Sequence, residues 1–243
     1  MNQRQKDIIA LTESAGEITI KELAERLGVS EMTVHRDLDL LQSERYIYKK
    51  RGAAVFIESA DRGKNDFYAE EKRAIGRKAA ELIPDGASVI FDNSTTSFEC
   101  AKFLNPEGKY TFYTTNLETA EILASYSGSV LYCSGGYYFP DSKGFVGAQA
   151  ENFVLSLKAD FCIIGASGIT PDGTTTPYPM HTALQKAIIA SAKTKILVCD
   201  HSKFDKNAME KICDLSDIDM IVTDSGLSNE TYEQYSKFVK IIN

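Results

Sequence analysis

The sequence predicts an α/β protein in which an N-terminal winged helix-turn-helix precedes a larger α/β domain with a mostly parallel sheet. Two patterns support this fold class. In residues 1–57, apolar side chains recur at helical spacing and a short segment rich in strand-forming residues follows. In residues 67–243, short apolar runs alternate with amphipathic segments, which is typical of parallel strands connected by helices. The polar stretch of residues 58–66 lacks apolar periodicity, so we expect it to be a linker.

The composition limits the kind of protein this can be. With 243 residues, 43% of them hydrophobic, the chain can bury one large core or two small ones. It has no run of about 18 apolar residues and no apolar leader segment, so we place it in the cytoplasm, away from membranes. Its five cysteines stand singly in apolar stretches and its three histidines lack metal-ligand spacing, so we expect no metal and no cofactor.

The charge is divided unevenly along the chain. The formal net charge is −7. The first 57 residues hold nine basic and nine acidic side chains, so the net negative charge lies beyond them. Three consecutive basic residues, Lys49 to Arg51, stand out in this neutral segment and are suited to a polyanion such as DNA.

The first domain is predicted to contain three helices and a hairpin. Apolar residues at i, i+3, i+4 and i+7 from Ile20 define the second helix, which ends at Gly28. Ser30 is the N-cap candidate for a third helix that runs to about Ser43. Strand-forming residues on either side of Gly52 predict two short strands joined by a turn. Three helices followed by a short hairpin describe a winged helix.

The third helix has one apolar face and one face suited to reading DNA bases. Val34, Leu38 and Leu41 fall within a narrow arc that must pack on the other helices. Arg36, on the opposite side of the first two turns, could bond the O6 and N7 atoms of guanine. With the helix cap and the wing included, the predicted DNA-binding residues are Ser30, Met32, Thr33, His35, Arg36, Lys49, Lys50 and Arg51. The alternative that remains open is an ordinary amphipathic helix in a protein-binding module.

The acidic residues of the third helix are expected to lie away from its reading face. Glu31 stands beside the helix N-terminus, where negative charge is favoured. Asp37 borders the buried arc, whereas Asp39 faces outward one turn further along. We therefore predict that the helix enters the major groove by its first two turns and then tilts away. The wing would supply the attraction to phosphates that the helix lacks.

These residues resemble the N-terminal DNA-binding domain of DeoR-type bacterial transcriptional regulators. The stretch EITIKELAERLGVSEMTVHRDLDLLQSERYIYKKRGAAV follows the family pattern, with a Leu-Ala pair in the second helix and a basic wing that ends in Gly. The positions that fill the most specific part of the pattern are Val29, Ser30, Thr33, Val34, Arg36, Asp37 and Leu38. The resemblance implies a DNA-binding transcriptional regulator.

In the second domain, polar residues follow several of the predicted strands. Asp92 ends one strand, and the hydroxyl residues Ser94 to Ser97 open the next helix, whose free N–H groups suit a phosphate. The stretches 114–116 and 134–136 follow the next two strands, and Lys203 follows a later one. Because ligands bind beyond the carboxyl ends of parallel strands, these groups are expected to gather on one rim of the sheet.

The same domain resembles the C-terminal sensor domain of the DeoR family, which is related to sugar-phosphate isomerases such as ribose-5-phosphate isomerase. The motifs that carry this resemblance are STTS, TTN, SGG, ADFCIIGASGI, DHSKF and IDMIVTD. It implies a ribose-5-phosphate-isomerase-like fold that binds a phosphorylated sugar or similar metabolite. The implied effector-binding residues are Asp92, Ser94, Thr95, Thr96, Thr115, Asn116, Gly135, Gly136, Asp160 and Lys203. His181 and His201 are interpreted as surface or loop residues.

The leading interpretation is a DeoR-type transcriptional repressor of a sugar-metabolism operon, and not an enzyme. It would bind double-stranded operator DNA as a homodimer or homotetramer, because one small neutral module is a weak reader of DNA. A phosphorylated sugar bound in the second domain would control it. The alternative is a sugar-phosphate isomerase with an added DNA-binding domain, in which Asp160 or Asp92 serves as acid or base. A third possibility is an adaptor that binds proteins through its N-terminal helices.

Overall fold

The structure is a computed structural model that describes residues 2–43, 46–56 and 68–243. The chain divides into two compact units, Met1–Phe67 and Tyr68–Asn243. The predicted linker, residues 58–66, lies outside the described residues, as does Ile57 at the end of the predicted first domain.

The N-terminal unit is a winged helix-turn-helix, as the sequence predicts. Its described elements are α1 (Gln3–Ala15), β1 (Glu17–Thr19), α2 (Ile20–Leu27), α3 (Glu31–Ser43), β2 (Ile47–Lys50) and β3 (Ala53–Phe56). The strands form an antiparallel sheet in the order β1-β3-β2. The hairpin of β2 and β3 is the predicted wing, and β1 is an addition that the sequence analysis missed.

The apolar arc of α3 forms part of the core of this unit. Val34, Leu38 and Leu41 are all buried, as predicted, and pack in one cluster with Leu23 of α2 and Ile47 of β2. The burial of one α3 face against α2 and the wing fixes which side of the helix remains exposed. The core therefore determines the orientation of the reading face.

The C-terminal unit is built from helices packed on both faces of a sheet. Its described helices are α4 (Ala69–Ala80), α5 (Thr95–Lys102), α6 (Leu117–Leu123), α7 (Ala148–Leu155), α8 (Pro179–Ala190) and α9 (Asn229–Tyr235). Its described strands are β4 (Ser88–Phe91), β5 (Thr111–Thr114), β6 (Val130–Cys133), β7 (Tyr137–Phe139), β8 (Gly144–Val146), β9 (Ala159–Ile164), β10 (Gly168–Thr170), β11 (Gly173–Thr176), β12 (Ala192–Val198), β13 (Glu210–Cys213), β14 (Met220–Val222) and β15 (Lys240–Ile242).

The main sheet has the strand order β15-β14-β12-β9-β4-β5-β6, and every neighbouring pair in it is parallel. Successive residues of a strand point to opposite faces. In β4, Ile90 joins the core on one face, whereas Val89 and Phe91 join the core on the other. Both faces are buried, which explains why the strands appear in the sequence as continuous apolar runs. The predicted α/β class with a parallel sheet is confirmed.

Short antiparallel elements were not predicted. Strands β7 and β8 form a hairpin, and β10, β11 and β13 form a separate sheet. The helix predicted to begin near Val146 starts two residues later, because Val146 is the last residue of β8. Most of these strands are only three residues long, too short to show an alternating pattern.

In the described ranges, no helix is long and apolar enough to cross a membrane. Those same residues contain no group of three or more His, Cys, Asp or Glu side chains placed to hold a metal ion. The cysteines are all free thiols, and Cys133 on β6 is exposed whereas the other four are buried. Four of the five cysteines thus act as small buried side chains, and Cys133 is the exception.

Candidate DNA-binding surface and effector site

The first two turns of α3 expose a group of side chains with few internal contacts. Met32 is 77% exposed. Arg36 is also exposed, and its guanidinium has no hydrogen bond or ion pair with any described residue. The Ser30 Oγ atom accepts a hydrogen bond from the Thr33 backbone N–H at 3.3 Å, so Ser30 caps the helix as predicted. This surface can offer a guanidinium, a hydroxyl and an apolar group to base edges.

Asp37 lies deeper than its predicted place at the border of the buried arc. It is 4% exposed, and its carboxylate accepts hydrogen bonds from Arg4 Nε at 2.5 Å and from Gln5 Nε2 at 3.3 Å. The partners come from α1, more than thirty residues away in the sequence. Asp37 is thus a neutralised contact between α1 and α3 and adds no charge to the reading face.

The three basic residues of the wing differ in their environments. Lys49 Nζ lies 2.6 Å from Asp39 Oδ1, and Lys50 Nζ lies 3.3 Å from Glu17 Oε2. Arg51 occupies the exposed turn between β2 and β3 and has no ion pair with the described part of the chain. Asp39 faces outward as predicted, but its charge is paired with the wing. Of the three cations, Arg51 is therefore the most available to a phosphate.

At the carboxyl end of β4, Asp92 organises the turn that leads into α5. Asp92 is 2% exposed. Its Oδ1 atom accepts a hydrogen bond from the Ser94 N–H at 2.9 Å, and its Oδ2 atom accepts one from the Gly165 N–H at 2.8 Å. Ser94 caps α5 by accepting a hydrogen bond from the Ser97 N–H at 3.1 Å. This turn presents the first residues of α5, exposed Thr95 and buried Thr96, at the rim of the sheet.

Close packing at this turn requires glycine at position 165. A Cβ atom on Gly165 would overlap with the Cβ and Oγ atoms of Ser94. Gly165 follows β9, the strand next to β4, so its backbone approaches the Asp92 turn directly. The loops after two neighbouring strands are thereby locked together.

The loop after β5 is joined to the same rim. The Thr115 hydroxyl donates a hydrogen bond to Asn93 Oδ1. Asn116 caps α6 and donates from Nδ2 to the Ser142 carbonyl oxygen at 2.9 Å. Thr115 and Asn116 therefore hold neighbouring loops in place, and both are buried.

The remaining predicted rim residues follow the strands on either side. Gly135 and Gly136, after β6, have positive φ angles of 60° and 121°, which favour glycine. Asp200, after β12, is fully buried, and its Oδ2 atom has no hydrogen-bond partner among the described residues. Lys203 lies half-buried in the short turn that Asp200 caps. The structure thus brings these residues to the carboxyl ends of the sheet.

Asp160 is the exception, and its assignment to this rim is wrong. It is the second residue of β9 and lies at the amino end of the sheet. Its Oδ2 atom accepts hydrogen bonds from the Ser88 N–H at 3.1 Å and the Ser88 Oγ at 2.7 Å, and Lys193 Nζ lies 2.9 Å from Oδ1. These contacts with Lys193 and Ser88 hold the pKa of Asp160 well below its usual range. Asp160 ties β4 to β9 at the end opposite Asp92.

The interpretation of both histidines as surface or loop residues misses their contacts. His201 follows β12, and its Nδ1 atom lies 2.7 Å from Asp224 Oδ2 while its ring packs edge-on against Tyr68. His181, on α8, packs its ring against Phe139 and Tyr178. Burial lowers the pKa of His181, and the negative charge of Asp92 acts in the opposite direction. His181 is therefore a half-buried neighbour of the rim, not a solvated side chain.

Sequence reasoning also missed Asn93 and Gln185. Gln185 Nε2 donates hydrogen bonds to the Gly165 carbonyl oxygen at 3.1 Å and to Asp92 Oδ2 at 3.4 Å. Asn93 lies between Asp92 and the capped helix, where it bonds Thr115. One signal was available for Gln185, because His181 and Gln185 are spaced by four residues on a predicted helix and must share a face.

Comparison with known families covers both units. A family model described as the DeoR-like helix-turn-helix domain matches residues 4–60, and one described as the DeoR C terminal sensor domain matches residues 68–225. The chain belongs to the DeoR family.

Several of its relatives are named as transcriptional repressors. The glycerol-3-phosphate regulon repressor of Haemophilus influenzae is 33% identical over 97% of this chain and 95% of its own length. The repressor of the same name in Escherichia coli K12 is 33% identical over 92% of this chain and 90% of its own. The HTH-type transcriptional repressor GlcR of Bacillus subtilis is 31% identical over 95% of this chain and 90% of its own length. This DeoR-family chain is thus a DNA-binding transcriptional regulator of the repressor type, and not an enzyme.

Solved structures with a similar fold are more distant. Ribose 5-phosphate isomerase A from Methanocaldococcus jannaschii gives a TM-score of 0.42 at 15% identity, over 56% of this chain and 55% of that one. The translation initiation factor eIF-2B of Pyrococcus horikoshii gives a TM-score of 0.41 at 18% identity, over 83% of this chain and 69% of that one.

Proposed function

We propose that this DeoR-family protein represses a sugar-metabolism operon and that a phosphorylated sugar or related metabolite, bound at the carboxyl rim of the main sheet, controls it. The observation that carries the proposal is the concentration of buried polar groups at that rim. Asp92, Thr96, Asn116 and Asp200 are all at least nine-tenths buried there. Burying polar groups is unfavourable unless each is hydrogen-bonded, and the Asp200 Oδ2 atom has no such partner among the described residues, which leaves it available to a ligand.

The phosphate is assigned to the beginning of α5. The first N–H groups of a helix have no intrahelical partners, and the helix dipole favours an anion at that end. Thr95 and Thr96 add hydroxyl groups at this position, and Lys203 supplies a positive charge from the loop after β12. An ammonium group and free N–H groups are a suitable set of partners for a phosphate monoester.

Calorimetry with a panel of ligands tests this assignment. The panel contains inorganic phosphate, glycerol 3-phosphate, ribose 5-phosphate, glucose 6-phosphate and glucosamine 6-phosphate. Glycerol 3-phosphate is included because of the names of two relatives. Thr96→Ala and Lys203→Ala should each raise the Kd of the tightest-binding ligand by about tenfold or more, because each variant removes a charge-assisted hydrogen bond to the phosphate. Lys158→Ala, at an exposed position before β9, is the control. Unchanged affinity in both site variants would contradict the placement.

Operator recognition is assigned to Ser30, Met32, Thr33, His35, Arg36, Lys49, Lys50 and Arg51. The exposure of Arg36 and Arg51 supports this, since neither guanidinium is held by a described residue. A regulator of this kind acts on chromosomal DNA, so we propose the cytoplasm as its location. We also propose a homodimer or homotetramer, because paired winged helices reach two half-sites and gain affinity. A monomeric mass by light scattering at micromolar concentration, with and without operator DNA, would contradict the oligomer.

A further inference from the structure

We propose that His181 and Gln185, on one face of α8, bind hydroxyl groups on the carbon chain of the effector. The site would then recognise a hydroxylated phosphate ester rather than phosphate alone. This inference rests on the proposed function, which places the effector at the carboxyl rim, and it names the part of the effector that these two side chains contact.

Both side chains reach the rim from the same helix. They are four residues apart, so they lie one turn apart on the same side of α8. The hydrogen bonds of Gln185 Nε2 to Asp92 and to the Gly165 carbonyl fix the Gln185 amide beside the turn that precedes α5. His181 lies one turn nearer the helix start, where its ring is held by Phe139 of β7 and by Tyr178.

Three buried polar atoms around the Asp92 turn have no hydrogen-bond partner within the described residues. They are His181 Nε2, Gln185 Oε1 and Asn93 Nδ2. Such atoms are uncommon in folded proteins because each loses its bonds to water without replacing them. A ligand at the rim would restore all three at once. The second polar atom of each amide already has a partner, since Asn93 Oδ1 accepts from Thr115 and Gln185 Nε2 donates to the Gly165 carbonyl.

The chemistry of these atoms favours a hydroxyl group. Because Gln185 Nε2 is engaged, the atom it offers is the carbonyl Oε1, which accepts hydrogen bonds and would repel an ionised phosphate oxygen. Asn93 Nδ2 offers a neutral donor. A hydroxyl group can donate a hydrogen bond to Gln185 Oε1 and accept one from Asn93 Nδ2, whereas an ionised phosphate oxygen can only accept. Burial lowers the pKa of His181, which favours the neutral imidazole as a further partner.

The experiment compares binding of each sugar phosphate with binding of inorganic phosphate, by calorimetry on the full-length protein. His181→Phe keeps a ring between Phe139 and Tyr178 and removes the nitrogen atoms, and Gln185→Met removes the amide. Lys186→Ala, an exposed neighbour on α8, is the matched control. Circular dichroism and the thermal transition of each variant establish that it is folded.

We expect the Kd for the tightest sugar phosphate to rise at least about tenfold in His181→Phe and in Gln185→Met, because a site built for a hydroxyl discriminates strongly when that bond is lost. The Kd for inorganic phosphate should stay within about twofold of wild type. An unchanged sugar-phosphate Kd in both variants would overturn this inference alone, as would a parallel loss of inorganic phosphate binding. If the wild-type protein bound no member of the panel, the sensor proposal itself would fail.

Discussion

Arg36 is the side chain whose loss should most reduce operator recognition. A bidentate arginine–guanine contact is worth about 1–3 kcal/mol, so Arg36→Ala should lose about five- to 150-fold in specific affinity. Binding to unrelated duplex DNA should change much less. Fluorescence anisotropy on an operator selected from random duplexes measures both.

Two further variants separate the possible causes. Arg36→Lys keeps the charge but not the fork of donors, so it should also lose specificity. Arg73→Ala removes an exposed arginine from α4 of the sensor unit and should have no effect. Wild-type affinity for the operator in Arg36→Ala would show that another residue reads the bases.

Asp160 should contribute to stability in a pH-dependent way. Its contacts with Lys193 and Ser88 lower its pKa in the folded protein, so the stabilisation is complete above the ordinary carboxyl pKa of about 4. It declines below that pH and is lost as the pH falls through the lowered pKa. The side chain is 41% exposed, which limits the gain to about 1 kcal/mol or less. Asp160→Asn should therefore destabilise the protein at pH 7 and destabilise it less at pH 3. Urea unfolding at pH 7 and at pH 3 measures the loss of stability in the variant, and an equal loss at both pH values would contradict this prediction.

Single residues were predicted well where their role is local. Ser30 caps α3 and Ser94 caps α5, because an N-cap needs only its own neighbours in the sequence. The partner of Asp37 could not be predicted, since Arg4 comes from another helix. Asp160 is different: as the second residue of an apolar run it belongs at the start of a strand, so the sequence itself pointed away from the rim.

The wing and α3 are connected by the ion pair of Lys49 with Asp39. Asp39 is more than half exposed, so the pair contributes little to stability. The main effect of the ion pair should be on DNA affinity, because Asp39 neutralises a lysine that could otherwise bind a phosphate of the DNA. Asp39→Asn should strengthen DNA binding and steepen the dependence of log Kd on log salt by about one phosphate contact, a slope of roughly 0.9.

The opposite result has a distinct meaning. If Asp39→Asn weakened DNA binding without changing the salt slope, the pair would serve to hold the wing in its binding position. Glu31→Gln is a suitable comparison, because it also removes an exposed carboxylate from α3 but one that has no ion pair among the described residues.

Elements with a long periodic pattern were predicted, and the shortest ones were not. The amphipathic pattern of α2 and the apolar runs of β4 and β9 reflect burial against large surfaces, which the sequence must encode. Strands β1, β7 and β8 have three residues each, too few to show a pattern, so the pairing of β1 with β3 and of β7 with β8 decides their conformation. The β7–β8 hairpin matters for the site because Phe139 packs on His181.

Across the whole molecule, the charge distribution indicates how DNA affinity is obtained. The net charge of −7 belongs to the chain beyond residue 57, and two of the three wing cations are paired with carboxylates. One copy of the winged helix thus has little electrostatic attraction for DNA at physiological salt. Affinity should come from two copies bound together, which makes operator binding sensitive to any change in how the copies are arranged.

The central claim is that a metabolite bound in the sensor unit changes the affinity of the winged helices for their operator. The most direct test is the operator Kd of the full-length protein, measured by anisotropy at fixed salt with and without saturating amounts of the tightest sugar phosphate. Allosteric coupling of about 1–3 kcal/mol predicts a change of about five- to 150-fold, and Lys203→Ala should need about tenfold more ligand to reach it. An operator Kd that is identical with and without the bound ligand would contradict the account.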